Sequence, residues 1–118
     1  MQVMPQYLMQ VTYTSDALAT LVANPQDRTE AVKPAIEMLG GTMDHVWFAF
    51  GDYDIVLIVS LPDNTSAVAL STAINAGGAV RTVKTTPLMA ATEGLEAFKR
   101  ASRCGYQPPK RSSQAATS

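Results

Sequence analysis

Tyr7, Met9, Val11 and Tyr13 alternate with Gln6, Leu8, Gln10 and Thr12. A period of two across the stretch from Met4 to Tyr13 predicts a first β-strand with one buried face. Thr14-Ser15-Asp16 follows, residue types whose short side-chain oxygens satisfy helix N-termini, and it opens a helical run from Ala17 to Ala23. Asn24-Pro25-Gln26-Asp27 breaks that run and restarts it from Arg28 to Leu39, with a kink expected at Pro34 and Gly40-Gly41 as the stop.

Thr42 to Phe50 and Tyr53 to Leu61 read as second and third strands. Between them Gly51-Asp52 has glycine first, as a type II′ hairpin turn requires. Asp63-Asn64-Thr65-Ser66 caps a helix of small residues from Ala67 to Ala76, Gly77-Gly78 ends it, and Ala79 to Leu88 is a fourth strand that stops near Pro87. A last helix runs from Thr92 to Arg103. The order βαββαβ plus a C-terminal helix predicts an α+β, ferredoxin-like α/β plait: one four-stranded antiparallel sheet with helices on one face. One domain over residues 4–104 is expected, with a tail over 105–118 whose Pro, Ser, Gln and Lys/Arg content buries too little to order itself.

A two-residue turn sets the pairing of the central hairpin. Phe50 would face Tyr53, followed by Phe48 with Ile55, Val46 with Leu57 and Asp44 with Val59, an apolar side suited to lie under the helices. The other side pairs Ala49 with Asp54, Trp47 with Val56, His45 with Ile58 and Met43 with Ser60. Trp47, Val56 and Ile58 together are too apolar for a wet sheet face, so a second subunit is expected to cover it.

Composition supports that expectation, since 47% of the 118 residues are hydrophobic and only 16% charged. A net charge of −1, without a basic run among aromatics in the folded part, argues against nucleic acid as a partner. One cysteine, Cys104, forms no internal disulfide, and one histidine with one cysteine is too few for a structural zinc site; a reducing cytoplasm is the consistent setting. The N-terminus has no basic-then-apolar leader pattern, and no apolar stretch is long enough for a membrane span.

Asp54 and His45 are the candidate catalytic pair: a carboxylate beside Trp47 under a second subunit would have its pKa raised by desolvation, and a lone histidine can shuttle protons near neutrality. The structural alternatives are that Asp52 and Asp54 cap the hairpin or pair with a cation, and that His45 hydrogen-bonds across an interface. Trp47, Tyr53 and Arg81 are candidate ligand-binding residues. Arg81 and Lys84 fall on opposite faces of their strand by parity, and Arg81 is taken as the charge partner of a carboxylate or an anionic ligand. Arg28 reads as a surface or interface charge, because a helix start disfavours cations. Both glycine pairs end helices instead of opening them, so no nucleotide cofactor is implied, and neither a nucleophile elbow nor a histidine pair for a metal occurs.

The segments MPQYLMQVTYT, Asn24-Pro25-Gln26-Asp27-Arg28, Leu39-Gly40-Gly41, FAFGDYDIVLI and Ala79-Val80-Arg81-Thr82-Val83-Lys84-Thr85-Thr86-Pro87-Leu88 resemble, in order and spacing, the GYD domain family. The resemblance covers roughly Met4 to Ala101 and suggests Met4 as an ancestral start. It implies a plait similar to dimeric α+β barrel proteins and brings no established activity. Two functions stay open: a homo-oligomeric, cofactor-independent enzyme or binding protein for a small organic molecule, or a non-catalytic assembly module whose sheet face is only an interface.

Overall fold

The computed structural model describes residues 4–110. The expectations about Met1 to Val3, and about most of the tail, fall outside the described residues. Those residues form two compact units, one ending at Leu88 and one beginning at Met89.

The first unit carries β1 (Gln6–Tyr13), α1 (Ser15–Ala23), α2 (Arg28–Met38), β2 (Thr42–Phe48), β3 (Ile55–Ser60), α3 (Asn64–Ala76) and β4 (Val80–Leu88). The strands lie in the order β2-β3-β1-β4 with every neighbouring pair antiparallel, the ferredoxin-like plait. The alternation in β1 fixes which face is inside: Tyr7, Met9 and Val11 are buried and meet Ile55, Leu57 and Val59 of β3 beneath Ile36 of α2 and Leu70 of α3. Tyr7 buries its ring and donates its hydroxyl to Asn64 Oδ1 at 2.7 Å, so the polar tip does not remain unpaired in the core.

Each helix starts on the capping chemistry its sequence supplies. Thr14 Oγ1 accepts from the Ala17 N–H, Asp27 from Thr29 and Asp63 from Ser66. The third helix therefore begins at Asn64, earlier than expected, because the cap is Asp63 alone. Pro34 lies inside α2, and Gly40, with φ of 85°, ends it. Gly41 is there for space: a Cβ on it would sit 2.1 Å from the Ser60 carbonyl oxygen.

The central hairpin departs from expectation at both ends. At the turn, β2 stops at Phe48 and β3 starts at Ile55, so the connection is longer than two residues, although the Ala49 N–H still donates to the Asp54 carbonyl at 2.9 Å. The connection is drawn towards β1 instead: the Asp54 N–H donates to the Val11 carbonyl, and Thr12 Oγ1 donates to the Asp52 carbonyl at 2.8 Å. Gly51 has the positive φ expected of it, 118°.

At the other end the register shifts between Met43 and His45, giving Met43 with Val59 and Thr42 with Ser60 in place of the expected Asp44 with Val59 and Met43 with Ser60. The reason is electrostatic. Unbulged pairing would hold the Asp44 carboxylate over the core, whereas the bulge turns it to Ser60, Gln6 and Thr42, which all donate to it. Met43 takes the inward place and packs on the core.

Phe48 and Phe50, expected under the helices, are 68% and 99% exposed. β2 is an edge strand, and Phe50 lies beyond its end.

The second unit contains α4 (Ala91–Ala101), in which Glu93 accepts from the Ala90 N–H; from Gly105 to Lys110 there is neither helix nor strand. Among the described residues no helix is long and apolar enough to cross a membrane.

Candidate functional site

The sheet face away from α2 and α3 collects most of the residues that the sequence singles out. His45 pairs with Ile58 and Trp47 with Val56 across β2 and β3; Leu8 and Gln10 of β1 continue those rows to Thr86 and Lys84 of β4. The His45 and Trp47 rings stack with centroids 5.5 Å apart and planes within 9°. Trp47 is about half exposed. The face is thus a stripe of Leu8, Val56 and Ile58 with an aromatic pair at one side and a lysine at the other.

Lys84, and not Arg81, supplies the cation of this face. Its Nζ lies over the Tyr53 ring, 5.7 Å from the centroid, and the neighbouring Tyr53 holds the ammonium above its ordinary value. Arg81 falls where the β1–β4 register slips between Thr12 and Tyr13: Thr82 pairs with Thr12 and Val80 with Tyr13, so Arg81 has no cross-strand partner and is exposed. Of the two cations that parity sets on opposite faces, Arg81 is the one expected from the sequence to partner a carboxylate or an anionic ligand; it is Lys84 that stands on this face, and Arg81 sits at the slip.

Asp54 accepts the backbone N–H of Tyr13 at 2.8 Å through Oδ2. The N–H belongs to β1 just past the start of β3, where no further strand residue is present to bond it, so the carboxylate extends the ladder. His45 faces Ile58 two rows away and is exposed. The structure therefore brings His45 together with Trp47, and Tyr53 with Lys84, while Asp54 is engaged with backbone.

The helix side of the sheet holds a different feature. A cleft of about 260 Å³ opens between α2 and α3 over the sheet. Its floor is Val11, Val46, Ile55, Leu57 and Val80; Ala31, Val32 and Ala35 of α2 form one wall, and Leu70, Ala73 and Ile74 of α3 the other. The volume exists because the helices turn alanines towards each other where larger side chains would close the gap. Its polar groups are few and lie together: Tyr13, Arg28 and Thr29. A second depression of about 300 Å³, lined in part by Thr14, Asp16 and Gln26, shares Tyr13, Arg28, Gly77 and Ala79 with it.

Burial pushes the Tyr13 phenol above its ordinary value; the nearby Arg28 charge opposes the rise, and Asp54 and Asp27 add to it. Like any phenol, the hydroxyl is protonated at neutral pH and able to donate. Among the described residues the ion pairs are Lys33–Glu30 and Arg100–Glu96, which leaves Arg28 without a carboxylate partner. Sequence reasoning missed this site. Tyr13 was legible as inward by parity, but the cleft depends on which helix faces meet, and that is not written in either helix alone. Among the described residues no three His, Cys, Asp or Glu side chains cluster as a metal site.

The GYD domain model matches residues 7–98. No curated protein matches the sequence. Among solved structures, the crystal structure of TTHA0845 from Thermus thermophilus is similar with a TM-score of 0.50 at 20% identity, covering 74% of this chain and 95% of that one. At that identity the likeness speaks to the fold alone.

Proposed function

The chain belongs to the GYD domain family, and on that footing we propose that it binds a small, largely apolar organic molecule in the cleft between α2, α3 and the sheet, as a homo-oligomer joined through the opposite sheet face. The observation that carries this reading is the cleft itself, apolar on floor and walls with its polar groups gathered at one end, the usual makeup of a small-molecule site. The division of labour between the two faces supports the oligomer: the stripe of half-buried Leu8, Val56 and Ile58 with half-exposed Trp47 offers an apolar surface to a second copy, as in dimeric α+β barrels, on the side of the sheet away from the cleft.

The reading is a binding function. His45 and Asp54, the candidate acid and base, lie outside the cleft lining, and Asp54 is held by a backbone N–H. Cofactor-independent chemistry on the bound molecule would then rest on Tyr13 and Arg28, the polar groups at the mouth.

N-phenylnaphthylamine, a neutral fluorophore that brightens in apolar surroundings, tests the site. The parent protein is expected to enhance its emission saturably, and Ala73→Phe, which places a ring in the cleft, to abolish the enhancement while leaving the circular dichroism unchanged. Equal enhancement by parent and variant would place the fluorophore elsewhere and refute the reading.

A further inference from the structure

We infer that the ligand of this cleft is an organic acid, with an apolar body in the cleft and its carboxylate held at the mouth by the Arg28 guanidinium and the Tyr13 hydroxyl. The inference rests on the cleft being a ligand site, as proposed above, and adds the chemical class. Size follows from the volume: a cleft of about 260 Å³, open on one side, takes the body of a small organic molecule.

The charge at the mouth argues for an anion. Arg28 is the first residue of the eleven-residue helix α2, where the free N–H groups already make the potential positive and a cation is unfavourable. None of the neighbouring acids makes an ion pair with it, Asp54 and Asp27 included, whose charges act on Tyr13 from nearby. Asp27 spends its carboxylate on the Thr29 N–H and hydroxyl, and Glu30 pairs with Lys33. Asp16 lines the adjoining depression, beyond ion-pair distance of Arg28.

Arginine presents a fork of donors matched to a carboxylate, and the Tyr13 phenol contributes a further O–H from the sheet side. Two donors from different elements thus converge on one end of an apolar slot. A neutral ligand would leave the exposed guanidinium to water, and an ammonium would be repelled by it.

Isothermal titration calorimetry with octanoate, octanol and octylamine, equal in length and differing in head group, tests the class on the full chain. Octanoate is expected to bind about tenfold tighter than octanol, which corresponds to about 1.4 kcal/mol, and octylamine most weakly. Arg28→Gln should remove the advantage of octanoate and leave octanol unchanged; Arg28→Lys, which keeps the charge and loses the fork, should retain part of it. Tyr13→Phe should weaken octanoate several-fold.

Octanol binding as tightly as octanoate, with both lost in Ala73→Phe, would overturn the acid while leaving the cleft as a ligand site. Arg28→Gln binding octanoate with parental affinity would overturn it equally. If none of the three binds, the acid and the small-molecule reading fall together, and the occupant is to be sought among protein side chains.

Discussion

Replacing Asp54 with alanine would strip the Tyr13 N–H of its acceptor at the rim of the cleft, and we expect a loss of about 1 kcal/mol in urea unfolding. Asp54→Asn keeps an acceptor oxygen and should cost less. Neither should change the oligomer if the residue serves the backbone, whereas a general base would show no such ranking between the two variants. Two glycines give a second comparison. Gly51 has positive φ and nothing within 4 Å of an added Cβ, so Gly51→Ala should cost roughly 1 kcal/mol of backbone strain. Gly41→Ala drives a methyl into the Ser60 carbonyl, so backbone must move and the loss should be clearly larger. Equal melting temperatures for the two variants would contradict this account of the β2–β3 region.

Helix caps and the strand bulge share a pH signature. Asp63 is held below its ordinary value by the Ser66 N–H and hydroxyl, and Asp27 by Thr29. Asp44 is opposed by partial burial but is lowered on balance by Ser60, Gln6 and Thr42. Depressed carboxylates contribute stability that is present above the unfolded pKa of about 3.9 and is lost as pH falls through the lower folded values. Stability should therefore be flat from neutrality to about pH 5 and fall below about pH 4, with a shallower fall in Asp44→Asn.

The element order, the caps and the inward face of β1 were all readable, because each follows from local periodicity or from one residue's oxygen. The bulge at Asp44 was not, although the expected pairing with Val59 already laid a carboxylate over the core, because its relief depends on Gln6 of β1 and Ser60 of β3 standing ready to donate. Nor was the loop around Gly51, whose shape comes from bonds to Val11, Thr12 and Tyr13, some forty residues earlier in the chain. Parity separates Arg81 from Lys84 without saying which of them shares the face of Trp47, and the register slip at Arg81 is set by pairing with β1.

Across the whole unit from β1 to β4 the sheet separates two surfaces with different chemistry, and each has its own experiment. Ile58 sits in the middle of the open stripe between His45 and Leu8. Ile58→Lys should convert a sedimenting oligomer to monomer, since an unpaired ammonium in an apolar interface costs several kcal/mol. The cleft should be untouched by it, because its floor is Val11, Ile55 and Leu57 on the other side. A parent protein that sediments as a monomer at micromolar concentration would remove the oligomer from the proposal while leaving the cleft to be judged on its own.

Amide chemical-shift mapping during an octanoate titration of isotope-labelled protein tests the cleft most directly, because it reports which face of the sheet answers to the ligand. The shifts should concentrate at Tyr13, Arg28 and Val32 and along α3 at Ala73 and Ile74, with saturation at a common concentration. Shifts concentrated instead at His45, Trp47 and Lys84 would place the site on the open face and contradict the account.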